Sequence, residues 1–124
     1  MKNESLSVIK VKDVLIVTVP QEPDDKVLSE LQEKILNAIQ KYSVNSLILD
    51  ISLVNIVDSY FARCISDTSK MVNIMGGNTV IAGMRPSVAI ICAQLGFKMG
   101  NVKMTLNMDY ALDFLENNLK KKYR

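Results

Sequence analysis

Leu47-Ile48-Leu49-Asp50-Ile51 is followed, after a short loop, by Val57-Asp58-Ser59-Tyr60-Phe61-Ala62-Arg63, and these two stretches decide how the chain is organised. The first belongs to a nearly continuous apolar run from Ser46, the pattern of a central parallel strand covered on both faces. The second opens a helical pattern: Phe61, Ile65, Thr68, Val72 and Met75 recur on one face, and Gly76-Gly77 stops it. Asp58 suits the N-cap. This order places Ser59 at the surface beside the positive end of a helix dipole, where a phosphate is accommodated.

Upstream, Ser7 to Val11 and Val14 to Val19 read as strands joined by a Lys12-Asp13 turn, a hairpin ended by Pro20. Pro23-Asp24-Asp25 carries helix-start signals, and Leu28, Leu31, Ile35, Ala38, Ile39 and Tyr42 follow at helical spacing. Downstream, Thr79 to Ala82 reads as a buried strand. Gly83-Met84-Arg85-Pro86 leads into a short helix with Val88, Ile91, Cys92 and Leu95, closed by Gly96. Val102 to Leu106 alternates like an edge strand, and Asn107 can cap a last helix holding Ala111, Leu112, Leu115 and Leu119. The expected order is β-β-α-β-α-β-α-β-α, an α/β chain with a mixed central sheet and packed helices. The stripe Leu28, Leu31, Ile35 and the strand Leu47, Ile48, Leu49 are expected to share one core.

The chain has 124 residues, 48% of them hydrophobic and 23% charged, which fits one globular domain spanning 1–124. Its expected core runs from about Ser7 to Leu119, with a basic tail over 120–124. Lys120, Lys121, Lys122 and Arg124 supply four of the 15 basic residues; without them 11 face 13 acidic ones, and the net charge of +2 becomes −2. The tail reads as a solvated end that complements a helix C-terminus rather than as a nucleic-acid site, since no aromatic or Gly-rich pattern accompanies it. No apolar run reaches the length of a membrane span, and the first residues carry no secretory pattern, so the expected location is the cytoplasm. With no histidine, Ser-His and Cys-His nucleophile pairs and His metal ligands are excluded. Cys64 and Cys92 fall in helical patterns and read as packed, reduced thiols. No cofactor or metal is expected.

The segment Val57 to Arg63, at the third strand-to-helix junction, resembles the phosphorylation-site region of the STAS family, the fold of bacterial anti-anti-sigma factors. Within that family it is most similar to stressosome antagonists of the RsbS type. The resemblance extends from about Ser7 to Leu119. It implies a non-enzymatic antagonist in which Ser59 is phosphorylated by a partner serine kinase. The chain would sequester that kinase switch protein, release it on phosphorylation and be reset by a phosphatase. It would join homologous STAS-containing sensor proteins in a large oligomer, and be a monomer or dimer alone. Free anti-anti-sigma factors, which bind an anti-sigma kinase directly, usually have small residues after Asp-Ser; Tyr60-Phe61 departs from that pattern and favours the stressosome type.

Each site residue also has a plain structural reading. Ser59 can simply cap a helix, and Asp58 can cap or present Ser59 to a partner. Arg63 can reach back toward a phosphate on Ser59, pair with Asp67 or a partner's carboxylate, or stay solvated. With Tyr60, these residues form the expected partner surface. Met84 and Arg85, in the next strand-to-helix loop, are either its second part or an ordinary turn. Asp50 occupies a place comparable to the phosphorylated aspartate of a receiver domain. The acidic residues needed to hold Mg²⁺ are incomplete, so it reads as structural, bonding loop amides. A small α/β enzyme using Ser59 as nucleophile lacks any His and any evident Lys base.

Overall fold

The Val- and Ile-rich segments become strands and the amphipathic ones helices. The computed structural model describes residues 7–55, 58–94 and 102–122. It contains β1 (Ser7–Val11), β2 (Val14–Thr18), α1 (Asp25–Tyr42), β3 (Ser46–Asp50), α2 (Ser59–Ile74), β4 (Asn78–Ala82), α3 (Pro86–Gln94), β5 (Lys103–Thr105) and α4 (Met108–Lys122). This is the order expected from the sequence.

The strands form one sheet in the order β1-β2-β3-β4-β5. The β1–β2 hairpin is antiparallel, with Val11 opposite Val14, and Lys12 in the turn adopts φ 54°. The other pairings are parallel. Side chains alternate between the two faces, and the helices divide accordingly. Leu15, Val17, Leu47, Leu49 and Ile81 pack with Leu28, Leu31 and Ile35 of α1, Phe61 and Ile65 of α2 and Val88 of α3. Val14, Ile48, Val80 and Ala82 pack on the other face with Ala111 and Leu115 of α4. The expectation that Ile48 shares the α1 core is therefore corrected: strand alternation sends it to the α4 side, while Leu47 and Leu49 meet α1.

Helix α1 starts at Asp24, whose carboxylate accepts from the Val27 N–H at 2.8 Å. Helix α4 starts at Asn107, whose side-chain oxygen accepts from the Tyr110 N–H at 3.0 Å. Helix α2 packs beside α1 and buries polar as well as apolar residues. Two of its buried hydroxyls are satisfied within the helix: Thr68 donates to the Cys64 carbonyl at 2.7 Å and Ser69 to the Ile65 carbonyl at 2.9 Å. Burial without loss of hydrogen bonding explains why these positions are not apolar in the sequence.

Several boundaries shift. Tyr42 and Met75 end their helices exposed rather than in the core stripe, because the last turns run beyond the sheet. Val19 lies past the end of β2 yet stays buried, its N–H donating to the Asp50 carbonyl at 3.0 Å. The edge strand is shorter than Val102 to Leu106, and Leu106 is 68% exposed. Leu112 turns to the surface, because Ala111 and Leu115 already face the sheet. Helix α4 continues through Lys122, so most of the expected tail is helical. Val57, Leu95 and Gly96, and the side chain of Leu119, lie outside the described residues.

Candidate functional site at the start of helix α2

The four parallel strands β2 to β5 end on the same rim of the sheet, and the loops that leave β3 and β4 meet there. The Ile51 N–H donates to the Ala82 carbonyl at 2.9 Å, carrying the sheet ladder one residue into the loops. Asp50 accepts the Ser52 N–H at 3.0 Å, the structural role its position suggested. Asn55 N–H then donates to Gln21 O at 3.0 Å, fastening the loop to the segment after β2.

Asp58 has extended backbone and its Oδ1 accepts from the Phe61 N–H at 2.8 Å. Its carbonyl accepts the Ala62 N–H at 3.0 Å, the first bond of the helix. Asp58 thus fulfils the cap, and Ser59 is the first residue of α2, exposed. Its hydroxyl is left out of the cap. Tyr60, 44% exposed, and Arg63 are at the surface of the first turns, while Phe61 and Ala62 between them are buried against the core. The segment is therefore anchored by the adjacent Phe61 and Ala62 and presents Ser59, Tyr60 and Arg63 outward.

Met84 and Arg85 are half-buried. Met84 joins Phe61, Ala62, Val88 and Cys92 in lining an apolar cleft between α2 and α3. The Arg85 guanidinium donates to the Val54 carbonyl, tying the loop before α3 to the loop before α2. Its Nε is buried without a partner among the described residues. The structure thus brings Asp58, Ser59, Tyr60 and Arg63 together on one exposed stretch. It sets Met84 and Arg85 beside that stretch as loop supports. Sequence reading missed the Arg85–Val54 contact, since nothing local to Val54 marks its carbonyl as an acceptor. It also missed the contact of Gly83 with Ser52; the only sequence signal was a glycine at the end of a strand.

Burial raises the Cys64 thiol above its ordinary pKa, with a Thr68 hydrogen bond opposing; burial alone raises Cys92. Both cysteines are free. Among the described residues no group of three or more His, Cys, Asp or Glu side chains could hold a metal ion, and no helix is long and apolar enough to cross a membrane.

The STAS domain family profile matches residues 5–111. The chain belongs to the STAS domain family. Over 82 residues it is 32% identical to the RsbT co-antagonist protein RsbRB of Bacillus subtilis (strain 168), covering 66% of this chain and 30% of that protein. The chain thus spans about 30% of the length of that curated relative. Among solved structures, it is similar to a serine-to-glutamate variant of RsbS from Moorella thermoacetica. The TM-score is 0.83 at 26% identity, over 93% of this chain and 97% of that one. A chain from the molecular architecture of the stressosome, a signal integration and transduction hub, matches with a TM-score of 0.81 at 27% identity, over 91% and 98% of the two chains. The resemblance drawn from Val57 to Arg63 is thereby met at the level of the family, the fold and similarity to RsbS.

Proposed function

We propose that this STAS domain is a phosphorylatable antagonist of the stressosome type. It sequesters an RsbT-type serine-kinase switch protein and releases it when Ser59 is phosphorylated. It acts by binding rather than by catalysis, and a phosphatase resets it. The observation that carries this reading is the division of labour between Asp58 and Ser59. Asp58 already caps α2, so the exposed Ser59 hydroxyl is free for modification without cost to the helix. A phosphate there would add about −1.5 to −2 charges at the positive end of the helix, where the fold tolerates them. It would also stand beside Asp58, so the surface offered to a partner becomes more negative with little change of shape. Tyr60 and Arg63 frame the partner surface, and Met84 and Arg85 hold its second edge.

Similarity to RsbR co-antagonists and to RsbS supports homologous STAS-containing proteins as assembly partners, in the cytoplasm. The test is incubation with a purified RsbT-type kinase and ATP, read by intact-mass and peptide mass spectrometry. One phosphate on Ser59, with loss of kinase binding, is expected. Phosphate elsewhere, or kinase binding unchanged after phosphorylation, contradicts the proposal.

A further inference from the structure

On the face of the sheet that carries α1, an open groove of about 330 Å³ runs between β1 and α1. Its floor is apolar, with Val8, Leu15 and Ala38, and its rim carries Lys10, Lys34 and Lys41. Among the described residues no acidic side chain lines it. The three lysines are exposed, and Lys41 Nζ lies 5.2 Å from the centre of the Tyr42 ring. A groove with an apolar floor and a basic rim calls for an acidic partner that brings an apolar side chain.

The outer face of α4 has that composition. Asp109, Leu112, Asp113 and Glu116 fall at i, i+3, i+4 and i+7, a single helical face, and all four are exposed. Leu112 is an apolar residue, 38% exposed, flanked by the three carboxylates. The spacing also matches. Lys34 to Lys41 and Asp109 to Glu116 are each seven residues, about 10.5 Å along a helix. Two helices laid side by side would set Lys34 and Lys41 against Asp109 and Glu116, with Leu112 over the groove floor.

We propose that the β1–α1 groove of one copy receives the outer face of α4 of a second copy. The groove and α4 lie on opposite faces of the sheet, so the contact joins two different surfaces. Such a head-to-tail contact leaves a groove free at one end and an α4 face free at the other. It therefore propagates into a ring or a chain rather than closing as a two-fold dimer. This deepens the assembly part of the proposed function and makes no use of Ser59, so either can fail without the other.

The test uses the full chain in analytical ultracentrifugation over a range of concentration and salt. Wild type should associate beyond a dimer at high concentration and low salt, and dissociate as salt is raised. Lys34→Glu/Lys41→Glu and Asp109→Lys/Glu116→Lys should each weaken self-association by about tenfold or more, because like charges then face each other. An equimolar mixture of the two variants should restore it, since every junction regains opposite charges. Circular dichroism should show both variants folded, as all four positions are exposed. A wild type that stays monomeric at its highest soluble concentration overturns the proposal. So does association that the two variants leave unchanged, or a mixture no larger than either variant alone.

Discussion

Gly83 lies directly on Ser52: a Cβ placed on Gly83 would stand 2.7 Å from the Ser52 Cβ and 2.8 Å from its Cα and its backbone N. The same residue has φ +87° and donates its N–H to the Thr105 carbonyl at 3.2 Å. One small residue thus lets the loop after β3 cross the end of β4. Gly76 shares the positive φ, at +90°, but would meet nothing within 4 Å. Gly76→Ala should cost only backbone strain, about 1–2 kcal/mol. Gly83→Ala should cost more, because backbone strain is joined by a collision with main-chain atoms. Urea denaturation of the two variants checks the order; equal midpoints would mean the loops do not touch.

Asp58→Ala should remove the α2 cap and lower stability by about 0.5–2 kcal/mol. Ser59→Ala should stay near wild type, since the Asp58 carboxylate and not the serine hydroxyl holds the Phe61 N–H. Thermal unfolding of both variants decides between the two residues as cap. A larger loss from Ser59→Ala would return the serine to a structural role.

In kinase assays, Ser59→Ala should bind the switch kinase and fail to release it on addition of ATP. Ser59→Asp adds one negative charge, fewer than a phosphate and with a different shape, and should release it only in part. Pull-down with and without ATP reads both. Phosphate incorporation into Ser59→Ala equal to wild type would show another acceptor.

Leu31→Ala and Ile48→Ala each empty a fully buried position and should cost about 2–5 kcal/mol. Because they lie in cores on opposite faces of the sheet, their effects should add within about 0.5 kcal/mol. A double variant well off that sum would indicate one continuous core.

The raised thiol pKa values predict slow alkylation at neutral pH, with half-buried Cys92 reacting before buried Cys64. Between the ordinary thiol pKa of 9.0 and the higher folded value, the unfolded chain has lost protons that the folded chain retains. Stability therefore falls as pH rises through that window. Cys64→Ala should flatten the fall relative to wild type, as measured by denaturant midpoints against pH. A wild-type slope no steeper than that of Cys64→Ala would sink the assignment.

Much of the fold is legible in the sequence. Periodicity located every strand and helix, because each element buries a face, and Asp24, Asp58 and Asn107 announced the helix starts. Ser59 and its neighbours stood out through the resemblance of Val57 to Arg63 to the STAS family, since local pattern alone also reads Ser59 as a helix cap. What sequence could not resolve depends on contacts between distant segments. Ile48 looks no different from Leu47 and Leu49 until the register of the sheet assigns faces. Ser66 and Ser69 fall outside the stripe of Phe61, Ile65, Thr68, Val72 and Met75, and their burial shows only once α2 is seen packed beside α1. The Arg85 link to Val54 spans 31 residues, beyond the reach of any local pattern.

The strand order has a consequence for how the chain is made. Each strand pairs with the one before it in sequence, so none has to be inserted between two already in place. A chain leaving the ribosome N-terminus first can add every new strand to an open edge and cover it with the helix that follows. Until β3 arrives, however, β2 offers an unpaired apolar edge. The nascent hairpin is thus the stage of synthesis at which this protein is most exposed to sticking to its neighbours.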